Sequence, residues 1–156
     1  MNQLPIEVLC YFAGIMDGEG SISIRQSKSQ AKNHQYQYRA YLQIGMTSKE
    51  VIDWVVENVG GGYSKGKNDS VKEKASYNWR MNPVDGANIL QQILPYLILK
   101  RLQALVFIEY AKTVSLRGSY GKKGLPKEIN DERERLYKIM HRLNLKGNPD
   151  ADLSQD

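Results

Sequence analysis

The sequence predicts an α+β domain: one four-stranded antiparallel sheet with helices on one face and the other face open. Two observations point there. The first is the order in which apolar periodicity changes along the chain: helix, two strands, helix, two strands, then helices. Paired strands interrupted by single helices define that class. The second is the placing of charge. The chain carries a net charge of +5, and segments 21–46 and 60–82, which hold the strands, contain nine basic residues, Arg25, Lys28, Lys32, Arg39, Lys65, Lys67, Lys72, Lys74 and Arg80. They contain two acidic ones, Asp69 and Glu73, so the rest of the chain is net negative. A merely solvated face mixes both signs. Charge concentrated on particular elements is the footprint of a polyanion binder.

Each element has its own signal. Pro5 with Glu7 behind it suits a helix first turn, and Val8, Leu9, Tyr11, Phe12, Ile15 and Met16 continue a helix that Gly18 and Gly20 close. Ser21-Ile22-Ser23-Ile24-Arg25 alternates strictly, as a half-buried strand does. Residues 27–35 are polar and read as a long hairpin loop, after which residues 39–46 alternate again. Thr47-Ser48-Lys49-Glu50 has the form of a capping box and opens a helix to about Asn58, with Gly60 as its stop. Residues 63–67 and 75–81 read as a second hairpin. Asn82-Pro83 starts a helix that Pro95 ends, and residues 97–112 read as a further helix. A Gly-rich basic loop over 113–130 leads to a last helix, capped by Asp131-x-x-Glu134 and ending within 144–147. Residues 149–156 are acidic and read as a flexible tail, which leaves 1–148 as a single domain.

Composition narrows the chemistry. At 41% hydrophobic the chain can build a core. Cys10 as the single cysteine excludes a disulfide framework and a cysteine zinc cluster. His34 and His141 are too few for a histidine-rich metal site, whereas a hard, oxygen-bound metal is compatible. No apolar run has the length of a membrane span and no basic leader precedes an apolar stretch. The expectation is a soluble protein with no membrane partner and no targeting signal, in keeping with an organelle or a prokaryotic cell.

Residues 11–20 carry the chemistry. Ala13 and Gly14 adjoin on a helix and remove side-chain bulk, so a second helix can pack very close. The helix ends in an acid flanked by glycines. Glu19 lies beyond the C-terminus, where the helix dipole disfavours a carboxylate and a bound divalent cation reverses the penalty. Two such helices side by side bring two Glu19 carboxylates together, and with phosphate and water oxygens they suit Mg²⁺. An ordinary helix-to-strand turn is the plain alternative for Asp-Gly-Glu-Gly. The Ala-Gly helix before it and the alternating basic strand after it argue against that reading. A dinucleotide-binding loop is excluded, because its glycines follow a strand and open a helix.

Tyr11-Phe12-Ala13-Gly14-Ile15-Met16-Asp17-Gly18-Glu19-Gly20 resembles the LAGLIDADG signature of homing endonucleases, with the Ala-Gly pair, the Asp-Gly-Glu-Gly end and the following Ser-Ile strand in place. Leu42-Gln43-Ile44-Gly45-Met46 is similar to the family's second strand, Gly60-Gly61-Gly62-Tyr63 to its turn into the third, and Leu94-Pro95-Tyr96-Leu97-Ile98-Leu99-Lys100 to the stretch before its basic active-site residue. The resemblance covers residues 5–145 by element order. It implies an αββαββα core with an extra C-terminal helix and one motif per chain. It implies catalysis by Glu19 and Lys100, with Arg101 a weaker candidate than Lys100, and Mg²⁺ (Mn²⁺ substituting) held by Glu19 and Gly18. It implies a homodimer with Phe12, Ala13, Gly14 and Met16 at the interface. The two strands of a long, near-palindromic duplex DNA target would be cut across the minor groove, leaving 3′ overhangs, as in intron homing. The family often sets a polar residue after the second strand to order water. Met46 and Thr47 stand there, and the role is not assigned.

Alternation puts Ser21, Ser23, Arg25 and Ser27 on one face with Gln37, Arg39, Tyr41 and Gln43, and Ile22, Ile24, Leu42 and Ile44 on the other. Lys28, Lys65, Lys67, Asn78 and Arg80 join the first group as DNA-binding candidates, with Tyr77, Trp79 and Met81 as core partners. A two-stranded ribbon enters the major groove, where Arg and Lys reach guanine and Gln and Asn reach adenine. Segment 21–46 contains no acid at all. Tyr36, Tyr38 and Tyr41 could stack on bases, though strand tyrosines more often pack. A strand of about eight residues at roughly 3.3 Å each follows some eight base pairs, so two half-sites give a target of about 20 base pairs. Two other readings compete: a LAGLIDADG-derived binder that does not cut, either an RNA maturase or a DNA-binding regulator, and a generic basic RNA-binding domain. Retention of Glu19 favours cleavage, since a binder has no use for an acid facing phosphates.

Overall fold

Strict alternation becomes sheet. In the computed structural model, which describes residues 3–30, 33–66, 75–115 and 124–145, β1 (Gly20–Lys28) pairs with β2 (Tyr36–Met46), β2 with β4 (Tyr77–Met81), and β4 with β3 (Gly62–Lys65). All three pairings are antiparallel, and the strand order is β1-β2-β4-β3. The first hairpin is longer than expected: residues 27 and 28, read as the start of the loop, belong to β1, and β2 begins at Tyr36, directly after the expected loop.

Among the described residues five helices cover one face of the sheet: α1 (Ile6–Gly18), α2 (Lys49–Val59), α3 (Pro83–Ile93), α4 (Arg101–Ser115) and α5 (Lys127–Leu143). The expected α+β class and the αββαββα order are found, and two helices, α4 and α5, follow that core where one extra C-terminal helix was expected. Three helix starts differ in detail. The N-cap of α2 is Ser48, which accepts from the Val51 amide, so the box expected from Thr47 to Glu50 is displaced by one residue. The last helix begins at Lys127 after Pro126, four residues before Asp131, whose carboxylate instead pairs with Lys127. The helix expected from Leu97 begins at Arg101. A short 3-10 turn (Leu94–Tyr96) and residues 97–100 separate it from α3.

The core lies between sheet and helices. Phe12 and Met16 of α1, Ile22 of β1, Leu42 and Ile44 of β2, Trp79 of β4, Ile89 of α3, Phe107 of α4 and Leu136 of α5 are all closed to solvent. Burying each such side chain contributes about 1.5–3 kcal/mol. Trp79 also satisfies its indole N–H, which donates to Gly60 O at 2.8 Å. Gly61 follows at φ +81°, and a Cβ there would stand 2.6 Å from that same nitrogen, so glycine is required at this turn. Among the described residues no helix is long and apolar enough to cross a membrane. The expected acidic tail, and Lys67 on the second hairpin, lie outside the described residues.

Candidate active site and nucleic-acid face

The site forms where α1 ends. Gly20 lets β1 start directly under the last turn: a Cβ on it would fall 2.6 Å from Met16 O and 2.8 Å from Met16 Cα. Glu19, the C-cap residue of α1, therefore stands at the corner between helix and strand, exposed, with its amide bonded back to Ile15 O and Met16 O. Asp17, two residues earlier, binds the segment that precedes α4. Its Oδ2 accepts from the Ile98 amide at 2.7 Å, and its Oδ1 from the Leu99 and Lys100 amides at 3.2 and 3.1 Å. Three amides taken by one carboxylate hold residues 98–100 out of helical geometry, which is why α4 starts only at Arg101. No sequence periodicity carries that signal, and Asp17 is the residue of this corner that the sequence reading missed.

Lys100 completes the arrangement. Its ammonium donates to Met16 O at 2.7 Å and to Asp17 O at 2.6 Å, so it caps the open carbonyls of α1. Partial burial pulls its pKa below the ordinary lysine value, while the charges of Asp17 and Glu19 work the other way. Lys100 was expected inside a helix; it sits at the last non-helical position before one, beside Glu19. The structure thus brings together the two expected catalytic residues, with Asp17 as the strut between their elements.

A cation can be tested against these donors. Glu19 is an exposed carboxylate in no ion pair among the described residues, and the helix-end carbonyls beside it are hard oxygens. Among the described residues no group of three His, Cys, Asp or Glu side chains could hold a metal within one chain. The donors fit a hard cation in kind, and the rest of its shell must come from outside the chain.

The register settles the faces. Ser21 stands opposite Gln43, Ser23 opposite Tyr41, Arg25 opposite Arg39 and Ser27 opposite Gln37, and Gln43 lies opposite Arg80 in turn. Asn78 aligns with Gly45 and Ser64. These residues share the face away from the helices, as expected. Ser23 departs from the picture of a solvated serine: its hydroxyl is buried and lacks a hydrogen-bond partner. Arg25 and Arg39 are directly opposed like charges, which destabilise a sheet. The Arg25 guanidinium is held 4.7 Å over the Tyr41 ring. Two arginines kept side by side on an open face suit an anionic partner.

Two lysines are corrected. Lys28 lies opposite Tyr36, and Lys65 opposite Tyr77, so both fall on the helix side of the sheet. Alternation runs out at strand ends and on the fully exposed edge strand β3, where pairing and not burial fixes the face. Tyr38 is likewise on the helix side and buried, with its hydroxyl accepting from Gln26. It packs and cannot stack on bases.

The dimer interface needs the larger correction. Phe12, Ala13 and Met16 are at most 1% exposed and belong to the chain's own core. They are closed to a partner. Gly14 lies on the opposite, open side of α1, where a Cβ would meet nothing, together with exposed Cys10, Tyr11 and Gly18. Ile98 and Leu99, at 86% and 72% exposed, stand by the C-terminal end of the same helix through their bonds to Asp17.

A four-stranded antiparallel sheet with an exposed acid at the end of a core helix defines the architecture. The pattern of the LAGLIDADG endonuclease family matches residues 12–114, and the chain belongs to that family. No curated protein matches it significantly. Solved structures of similar fold are themselves homing endonucleases. I-CvuI, in complex with the I-CreI target, superposes with a TM-score of 0.70 at 20% identity, covering 86% of this chain and 80% of that one. The archaeal intron-encoded I-Vdi141I, complexed with DNA, gives 0.70 at 19% identity over 89% and 85%. I-SmaMI, bound to cleaved DNA, gives 0.67 at 17% identity and covers 97% of this chain, which spans 49% of that longer one.

Proposed function

We propose that two copies of this chain form a site-specific homing endonuclease that makes a divalent-metal-dependent double-strand break in a long, near-palindromic DNA target. The observation that carries this reading is the joint placing of Glu19 and Lys100 at the C-terminus of α1, next to a sheet face that bears arginines and no acid among its described residues. The similar I-CvuI and I-Vdi141I structures contain DNA. That this chain spans about half of I-SmaMI supports assembly from two copies.

In the proposed dimer the Gly14 faces of the two α1 helices meet, which brings both Glu19 carboxylates to the two-fold axis. Glu19 and the Gly18 carbonyl would hold Mg²⁺, with Mn²⁺ substituting. When bound, the cation supplies charge that offsets the negative charge developing on the phosphate, and it acidifies water. Lys100 keeps the negative end of α1 neutralised and presents its remaining N–H toward the scissile phosphate. Ser21, Ser23, Arg25, Ser27, Gln37, Arg39, Tyr41, Gln43, Asn78 and Arg80 face the major groove. Exposed Lys28 and Lys65 are left for phosphates at the rim.

Incubation with a randomised duplex library and Mg²⁺, followed by sequencing of cut ends, tests the reading. Near-palindromic targets with short 3′ overhangs are expected. Robust cutting in excess chelator, or 5′ overhangs, would overturn it. Binding without any cutting in Mg²⁺ or Mn²⁺ would favour the non-cleaving alternative.

A further inference from the structure

β2 outruns the strand beside it. β4 pairs with β2 only from Leu42 to Met46, so Tyr36, Tyr38 and Ala40 turn backbone groups toward an edge where β4 no longer runs. Side chains take the strand's place. The Tyr110 hydroxyl donates to Tyr38 O at 2.7 Å. Asn130 Nδ2 donates to Tyr36 O at 3.3 Å. Both residues are buried, at 2% and 7% exposed. Tyr110 is braced in turn. The Arg133 guanidinium lies 5.2 Å over its ring and bonds Thr113 Oγ1 at 2.9 Å, while Thr113 Oγ1 donates to Tyr110 O at 2.7 Å.

The same stretch of ribbon presents Arg25, Ser27, Gln37 and Arg39 on its other face. A two-stranded ribbon by itself is marginally stable and twists more than a wider sheet. Reading base edges requires side chains held to about 0.5 Å. We infer that Tyr110 and Asn130 are positioning residues for specificity: by closing the free edge of β2 they set the twist of the outer half of the ribbon, and so set which bases Arg25, Ser27, Gln37 and Arg39 read. The inference rests on the proposed reading of the open sheet face as the DNA surface.

Tyr110→Phe removes one oxygen and keeps the ring. The wild-type target is first obtained from the randomised duplex library, and cleavage is then measured on every single-base change of that target. In Tyr110→Phe, discrimination at positions farthest from the cut falls about tenfold, the scale of one base contact. Positions next to the cut keep their preference, KM rises, and kcat on the best target stays within about twofold. Asn130→Asp, which loses the donor and keeps the shape, moves the same outer positions. An even loss at all positions overturns the inference. So does an unchanged profile, including one accompanied by a lower Tm, which marks a purely structural role. Arg39→Ala separates the two failures: if it too leaves the profile unchanged, the reading of the sheet face falls and the inference with it.

Discussion

Lys100 reaches back across 83 residues to seat its ammonium on the carbonyl of Asp17, 2.6 Å away, while the Asp17 carboxylate receives the Lys100 amide at 3.1 Å. Side chain and backbone of each residue are exchanged with the other. Asp17→Ala should therefore release residues 98–100 and displace Lys100. A loss of about 2 kcal/mol in stability is expected, the scale of a lost helix cap or charged hydrogen bond. DNA cleavage should fall further than DNA binding, which a gel-shift and a cleavage assay on one target would separate. Unchanged cleavage would remove the strut from the mechanism.

Glu19→Gln keeps the shape of the C-cap residue and removes its charge. Its side chain is exposed, so folding should be unaffected. Cleavage should drop at least about a hundredfold, as when one preorganised charge-stabilising group is removed, with binding in Ca²⁺ retained. Full cutting by this variant would place the acid elsewhere.

The two small residues of α1 should part company. Gly14→Leu projects into open space and should leave the monomer folded while blocking the close approach of a second copy. Sedimentation should then report a monomer with an unchanged circular dichroism spectrum. Ala13→Leu overpacks the chain's own core, where Ala13 is 1% exposed, and should cost about 1–3 kcal/mol in thermal unfolding. A Gly14→Leu dimer would put the interface on another surface.

Arg39→Ala relieves the repulsion from Arg25 directly across the hairpin. Chemical unfolding should show equal or higher stability, by about 0.2–1 kcal/mol. Affinity for the target should fall by about 1–3 kcal/mol at one symmetric pair of positions. If affinity falls equally for all sequences, Arg39 is a phosphate contact.

Replacing Mg²⁺ by Ca²⁺ should preserve binding and suppress cutting. Ca²⁺ is larger and its shell looser, so in-line alignment suffers. Equal cleavage rates in the two ions would argue against a tight octahedral site.

Those residues were legible in the sequence wherever two faces of an element differ in chemistry. Ile22 and Ile24 against Ser21, Ser23 and Arg25 fix the parity of β1, and the paired alternation of β2 fixes its partner face. Glu19 and Lys100 were legible through the motif and the apolar run before the lysine. On β3, Tyr63, Ser64 and Lys65 are all exposed, so parity depends on hydrogen bonds to β4 that no local pattern encodes. On α1, apolar residues ring most of the helix, and periodicity could not tell the stripe that enters the core from the one that faces outward. The Phe12 stripe was assigned to a partner for that reason. The break between residues 97 and 100 is imposed by a side chain 81 to 83 residues away. Within an unbroken apolar run it leaves no trace.

The closed edge of β2 also has a bearing on synthesis. Tyr110 and Asn130 lie 72 and 94 residues after the carbonyls they satisfy. At about 5–20 residues per second, a ribosome delivers β2 roughly 5–20 s before the last of its edge partners. Through that interval the nascent ribbon exposes unpaired amides and carbonyls, a template for joining other strands. Arg39 on the same strand, and Arg25 and Lys28 on its neighbour, oppose such pairing by repulsion between like chains. The positive charge that suits the finished protein to a polyanion thus also guards the growing chain against aggregation.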